Sequence, residues 1–263
     1  MAVGDPSVVA HDVHVRYRTY GGKRNALRPP EENALNRVLG RATSHVGAVN
    51  EVHAVRGISF VAHEGDSVGV IGRNGSGKST LLRAVAGLVP IASGQVYARG
   101  NIALLGVNAA LMSSLTGARN VMLGCLAQGM TRREAREAYD GIVDLAGIGD
   151  FVNLPMKTYS SGMAARLRFA ISSATTPDVL VIDEALATGD AEFRERSAER
   201  VQEIREEAGT VFIVSHSLSS VTSMCNRAIW VEEGAVRADG DPKEIGAMYT
   251  EFVAQRRKDK GGR

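Results

Sequence analysis

The sequence predicts an α/β fold: a buried parallel sheet around a phosphate-binding loop, an N-terminal antiparallel β-layer and an inserted helical subdomain. Three observations predict it. Gly72-Arg-Asn-Gly-Ser-Gly-Lys-Ser79 sits between a short apolar run, 68–71, and a run of helical character, 79–88. Two further apolar runs, 179–182 and 211–214, lack alternation, as strands buried on both faces do. Between 111 and 174 the signals turn helical.

Taken in order, residues 8–17 alternate as a strand does. Residues 21–50 interrupt with Gly21-Gly22 and Pro29-Pro30. There 31–39 reads as a short helix, with proline at its start, acids in its first turn and Leu35, Val38 and Leu39 on one face. That face serves either a partner or its own domain. Alternation resumes at 52–62 and leads through Glu64-Gly65-Asp66 into the loop strand. Residues 94–105 suggest another strand pair. Thr131-Arg-Arg-Glu134 is a capping box opening a helix with Ala135, Ala138, Tyr139, Ile142 and Val143 on one face. Phe193, Val201, Ile204 and Ala208 mark an amphipathic helix between the last two apolar runs. The expected organisation is one domain over 1–263: a core of 8–106 and 175–250, the insertion 21–50, a helical subdomain 107–174 and a basic tail 251–263. The stretch 255–263 is expected to fray in solvent; contact with anionic lipid is the lesser reading.

A hydrophobic content of 44 % supports a buried core, and a net charge of +2 gives no argument for nucleic acid. The two cysteines, Cys125 and Cys225, lack metal or CxxC spacing, so a reduced setting is expected. The start lacks the basic region of a signal peptide. The uncharged stretch 101–118 is interrupted by Asn101, Asn108, Ser113, Ser114 and Thr116, which a spanning helix does not favour. Any membrane part would belong to a partner. His11, His14, His45, His53 and His63 read as surface residues.

The chemistry lies in two elements. In the loop, Gly72, Gly75 and Gly77 let successive N–H groups of Arg73, Asn74, Ser76 and Thr80's helix close around phosphate oxygens. Lys78 brings a charge to the phosphates, and the Ser79 hydroxyl can ligate Mg²⁺. The bland alternative is a Gly-rich turn with a stray lysine. Val179-Leu-Val-Ile-Asp-Glu184 is an apolar strand ending in two carboxylates. Asp183 can hold Mg²⁺ and Glu184 can polarise a water; the alternative is two surface acids.

Tyr159-Ser-Ser-Gly-Met163 lies upstream of Asp183 and opens a helix carrying Leu167, Ala170 and Ile171. In that position it resembles the signature motif of ABC-type ATPases, Leu-Ser-Gly-Gly-Gln. Ala187-Thr-Gly-Asp190 resembles the D-loop, His216 the switch histidine and Tyr17 the aromatic that stacks on adenine. Tyr20 could take the stacking role, and His216 could be a core histidine. The resemblance runs from about 8 to 250. Thr158-Tyr-Ser-Ser-Gly-Met, Asp-Glu-Ala-Leu-Ala-Thr-Gly-Asp and Asn226-Arg-Ala-Ile-Trp230 are similar to the ATP-binding subunits of polysaccharide and polyol-phosphate exporters, the Wzt-like O-antigen, teichoic acid and galactan group. Two departures stand out. Ser161 and Met163 replace the signature's glycine and glutamine, as is common in that group. No glutamine stands at the Q-loop, where Val107 or Asn108 falls instead; Asn108 is a candidate Mg²⁺ or water contact.

The resemblance implies ATP and Mg²⁺ as cofactors and a head-to-tail homodimer. In it, the P-loop of one copy (Gly72 to Thr80) faces Ser160, Ser161 and Gly162 of the other. Asp183 and Ser79 would hold the metal, Glu184 would orient water, and His216 would contact the γ-phosphate. Asp190 would sit at the dimer interface. It further implies an integral membrane permease as partner, a position at the cytoplasmic face of the membrane, no nucleic acid, and a glycan not bound directly. A soluble non-transport ABC ATPase and an importer ATPase are the competing readings.

Overall fold

The computed structural model describes residues 4–20, 49–105, 111–183, 191–215 and 217–261. The helix expected over 31–39 lies outside them. The alternating segments become two long strands. β1 (Pro6–Tyr20) and β2 (Val49–His63) pair antiparallel from Pro6–His63 to Tyr20–Val49. The buried positions run Val8, Ala10, then Val13 and Val15, so their parity changes midway. The cause is a register shift around Asp12, whose φ of 47° is left-handed and whose N–H donates to Ser59 Oγ at 2.8 Å. The bulge keeps both halves of β1 facing the core.

The second sheet follows the apolar runs. β3 (Ser67–Ile71) precedes the P-loop, and α1 (Lys78–Val85) follows it. The strand pair expected over 94–105 divides between the sheets. β4 (Ser93–Ala98) joins β1, while β5 (Ile102–Leu104) joins the parallel sheet beside β6 (Val179–Asp183). The exposed, alternating burial of β4 suits a surface layer and the more buried β5 a sheet flank.

The helical stretch yields α2 (Gly117–Ala127), α3 (Arg132–Glu137), α4 (Tyr139–Ala146) and α5 (Ser161–Ser172). The capping box is present: Thr131 N–H donates to Glu134 Oε2 at 2.7 Å, and Glu134 N–H to Thr131 Oγ1 at 3.3 Å. A break at Ala138 divides the single helix expected there, yet Ala135 and Ile142 on its two halves stay buried. These helices share a hydrophobic cluster of their own around Val121, Cys125, Leu167 and Ile171.

The chain returns through α6 (Ala191–Glu207), β7 (Thr210–Val214), α7 (Leu218–Met224), β8 (Arg227–Glu232), β9 (Ala235–Gly240) and α8 (Pro242–Gly261). The sheet order is β5-β6-β7-β3-β8-β9, parallel except for the β8–β9 hairpin. Between the sheets, Leu81 and Leu82 of α1 pack with Val13, Ile58 and Phe212, and Phe60 meets Phe212 edge-on at 5.8 Å. Ile204 of α6 covers the opposite face at Leu180, Val211 and Ile213. α8 continues well into the segment expected to fray. Asp241 Oδ1 caps it by accepting from Lys243 and Glu244 N–H, and Trp230 contacts Tyr249 and Phe252. Among the described residues, no helix is long and apolar enough to cross a membrane.

Candidate nucleotide site

The P-loop leaves the C-terminal end of β3, in the middle of the parallel sheet, where open α/β sheets place ligands. Its shape depends on two close approaches. A Cβ on Gly72 would stand 2.0 Å from the Val231 carbonyl, and one on Gly77 would stand 2.4 Å from the Ala54 carbonyl. Both have positive φ, 146° and 105°. The loop is therefore gripped between β8 and β2. Gly234 N–H adds a hydrogen bond to the Ser76 carbonyl at 2.9 Å.

Lys78 is 5 % exposed, and its Nζ donates to the Gly72 carbonyl at 2.7 Å and the Arg73 carbonyl at 2.8 Å. The ammonium is thus held inside the loop at the start of α1, where the helix dipole adds positive potential. Ser76 Oγ is buried with no hydrogen-bond partner among the described residues. Arg73, Asn74 and Gly75 are exposed; Ser79 and Thr80 are half-buried in the first turn of α1. An orphaned hydroxyl, a buried ammonium and a cradle that only glycine permits suit a phosphate chain. They fit ATP, whose phosphates residues 72–80 would hold, and Ser79 can add a hydroxyl to a Mg²⁺ shell.

Asp183 is the last residue of β6, opposite Val214 of β7, so two strands carry the expected carboxylate position and the P-loop to the same sheet end. Glu184, Asp190, His216 and Asn108 lie outside the described residues. Ser160 caps α5, accepting from Met163 N–H at 3.2 Å, and Ser161 and Gly162 are exposed beside it. Behind this helix start, Tyr159 Oη donates to the Phe151 carbonyl at 2.6 Å, and burial pushes its phenol up. The signature residues ride on the helical cluster; the P-loop rides on the inter-sheet core. Tyr17 stands near the end of β1, 38 % exposed and opposite Val52.

Sequence reasoning missed the supports. Ala54, Val231 and Gly234 carry no side-chain chemistry that marks them, and it is their backbone atoms that crowd or bond the loop. Glu232 was missed as well, although it is buried and its Oε1 lies 3.7 Å from Arg73 Nη1. An acid in Glu232-Glu233-Gly234 reads simply as a turn.

The chain is similar to known ATP-binding proteins in sequence and in fold. The ABC transporter family model matches residues 55–187. The teichoic acids export ATP-binding protein TagH of Listeria innocua is 40 % identical over 222 residues, 84 % of this chain and 66 % of that protein. Its namesake in Bacillus anthracis is 45 % identical over 201 residues, 76 % of this chain and 37 % of its own length. That of Staphylococcus haemolyticus is 34 % identical over 256 residues, 96 % and 91 % of the two chains. The chain therefore spans less than two thirds of several of these relatives. Among solved structures, an ATP-binding subunit of an ABC transporter aligns with a TM-score of 0.66 at 18 % identity, over 93 % of each chain. A dimeric, post-hydrolysis ATP-binding cassette bound to ADP and phosphate aligns with 0.63 at 20 % identity, over 89 % of this chain and 98 % of that one.

Proposed function

The protein belongs to the ABC transporter family, and from that membership we propose that it is the ATP-hydrolysing subunit of an exporter that moves a lipid-linked glycan across the cytoplasmic membrane. The observation that carries the proposal is the division of the nucleotide machinery. The P-loop and the exposed start of α5 sit on separate hydrophobic clusters. A second copy would bring its Ser160, Ser161 and Gly162 to the phosphates held by Lys78 and the loop of the first. Such an arrangement distinguishes ATP from ADP, because the terminal phosphate alone would touch both faces. Mg²⁺, held by Ser79 and Asp183, would neutralise developing charge. Glu184 would orient the attacking water in line, and His216 would steady the terminal phosphate and that water. Phosphoryl transfer is catalysed mainly by such positioning.

The relatives are named as teichoic acids export ATP-binding proteins, which supports export and a cargo of that kind. The chain would lie at the cytoplasmic face, held by a permease. An open groove lined by Leu115, Ala118, Met122, Leu123 and Tyr139 together with Arg119 and Arg136 supports that docking. The deciding experiment is Glu184→Gln. The variant should bind ATP, release phosphate at under about 1 % of the wild-type rate, and elute as a dimer with ATP and as a monomer with ADP. Wild-type turnover in the variant would remove Glu184 from the mechanism.

A further inference from the structure

Glu232 ends β8 against the P-loop and is 8 % exposed. Its Oε1 lies 3.7 Å from Arg73 Nη1 and 3.6 Å from Arg256 Nη1. Its Oε2 is buried with no hydrogen-bond partner among the described residues. One acid is therefore shared by two cations on separate elements, the nucleotide loop and α8. Tyr249, also on α8, belongs to the same cluster. Burial pushes its phenol up, the Glu232 charge adds to that, and Arg73 eases it.

A carboxylate beside a phosphate-gathering loop opposes the binding of a polyanion, and poorly solvated charge acts strongly over such distances. Two guanidinium groups offset it here. Arg73 belongs to the loop itself. Arg256 arrives from α8, where it also bonds Glu233 Oε1 at 3.2 Å and lies over the Phe252 ring at 5.1 Å. Phe252 in turn packs on Trp230, two residues from Glu232. Whether Arg256 reaches Glu232 thus depends on how α8 is seated.

We propose that α8 governs nucleotide affinity through Glu232. With α8 seated, Arg256 and Arg73 share the Glu232 charge, so neither offsets it alone. With α8 lifted, Glu232 faces the loop with one cation less, Arg73 must offset it alone, and ATP binds more weakly. The device sets affinity and leaves the chemical step alone, so it appears in Kd and KM rather than in kcat. Anything that engages the outer face of α8 would then tune the site.

The test is equilibrium binding of ATP to the full chain without added divalent metal, so that hydrolysis does not intervene. Arg256→Ala should raise Kd about 3–10-fold, a range set by partial solvent screening, with kcat in Mg²⁺ unchanged. Arg256→Lys, which keeps the charge, should recover most of the affinity. In a Glu232→Gln background, Arg256→Ala should change Kd less than about 1.5-fold, because the charge it compensates is gone. Should Glu232→Gln fail to fold, Glu232→Met replaces it, since Arg73 and Arg256 are both partly exposed and keep water as a partner. An equal loss of affinity in both backgrounds, or no loss in the first, overturns the proposal. The inference rests on the loop being the nucleotide site, which a Lys78→Ala control tests separately: retained ATP binding there would sink that reading, whatever the Arg256 variants do.

Discussion

Lys78 Nζ donates a 2.7 Å hydrogen bond to the carbonyl of Gly72, closing the P-loop on its own lysine. The contact organises the loop before any phosphate arrives, and phosphate oxygens would compete for the same ammonium. Lys78→Met keeps the stem and removes the charge. Phosphate-release assays should show kcat/KM reduced about 100-fold or more, the scale of losing one well-placed charge donor. A reduction under tenfold would mean the ammonium is not a phosphate ligand.

Gly77 and Gly75 differ in a way that measurement can separate. Alanine at Gly77 meets the Ala54 carbonyl as well as a φ of 105°, whereas at Gly75 it meets open space at φ 80°. Gly75→Ala should cost about 1–2 kcal/mol, the left-handed penalty alone. Gly77→Ala should cost more, because β2 must also yield. Urea unfolding of both variants checks the order; equal costs would show that the backbone contact is soft.

The helical cluster has its own keystone in Leu167, fully buried among Val121, Cys125 and Ile171. Leu167→Ala should destabilise by about 2–5 kcal/mol. Because α5 carries the proposed signature residues at its start, the proposed ATP-dependent dimerisation should weaken in that variant more than ATP binding does. Loss of both to the same degree, measured by gel filtration and nucleotide titration, would argue that one cooperative core supports both halves of the site.

Three phenols give an alkaline signature. Tyr139, Tyr159 and Tyr249 are all pushed up, chiefly by burial. The folded state then holds these protons more tightly than the unfolded chain, whose phenols ionise near about pH 10. Their contribution is complete below that pH and is lost as pH rises through the raised folded values. Unfolding midpoints should therefore fall above about pH 10, and Tyr159→Phe should make the fall shallower. An unchanged slope would assign the loss to other groups.

Elements with a strong local pattern were legible in the sequence. The P-loop, the runs at β6 and β7 and the Thr131 capping box each have a cause within a few residues. What escaped depends on distant partners. β4 and β5 adjoin in sequence but satisfy different sheets, a choice made by β1 and β6. The stretch 255–263 looks frayed by composition, but α8 continues to Gly261, and Trp230, some twenty residues earlier than its middle, contacts Tyr249 and Phe252 there. Within the candidate site, Lys78 is singled out by its side-chain chemistry and Ser160 by resemblance to a signature motif. Ala54 and Val231 are not, because they contribute only carbonyl oxygens.

The final rung of the first sheet, Tyr20 opposite Val49, fixes where the chain departs and where it re-enters. The ladder constrains only those two ends, and joining them through a longer connection costs only slowly more entropy. The fold therefore offers a socket at that end of the ladder. Segments of very different length could be exchanged there, by evolution or by an engineer, without disturbing a single strand pair.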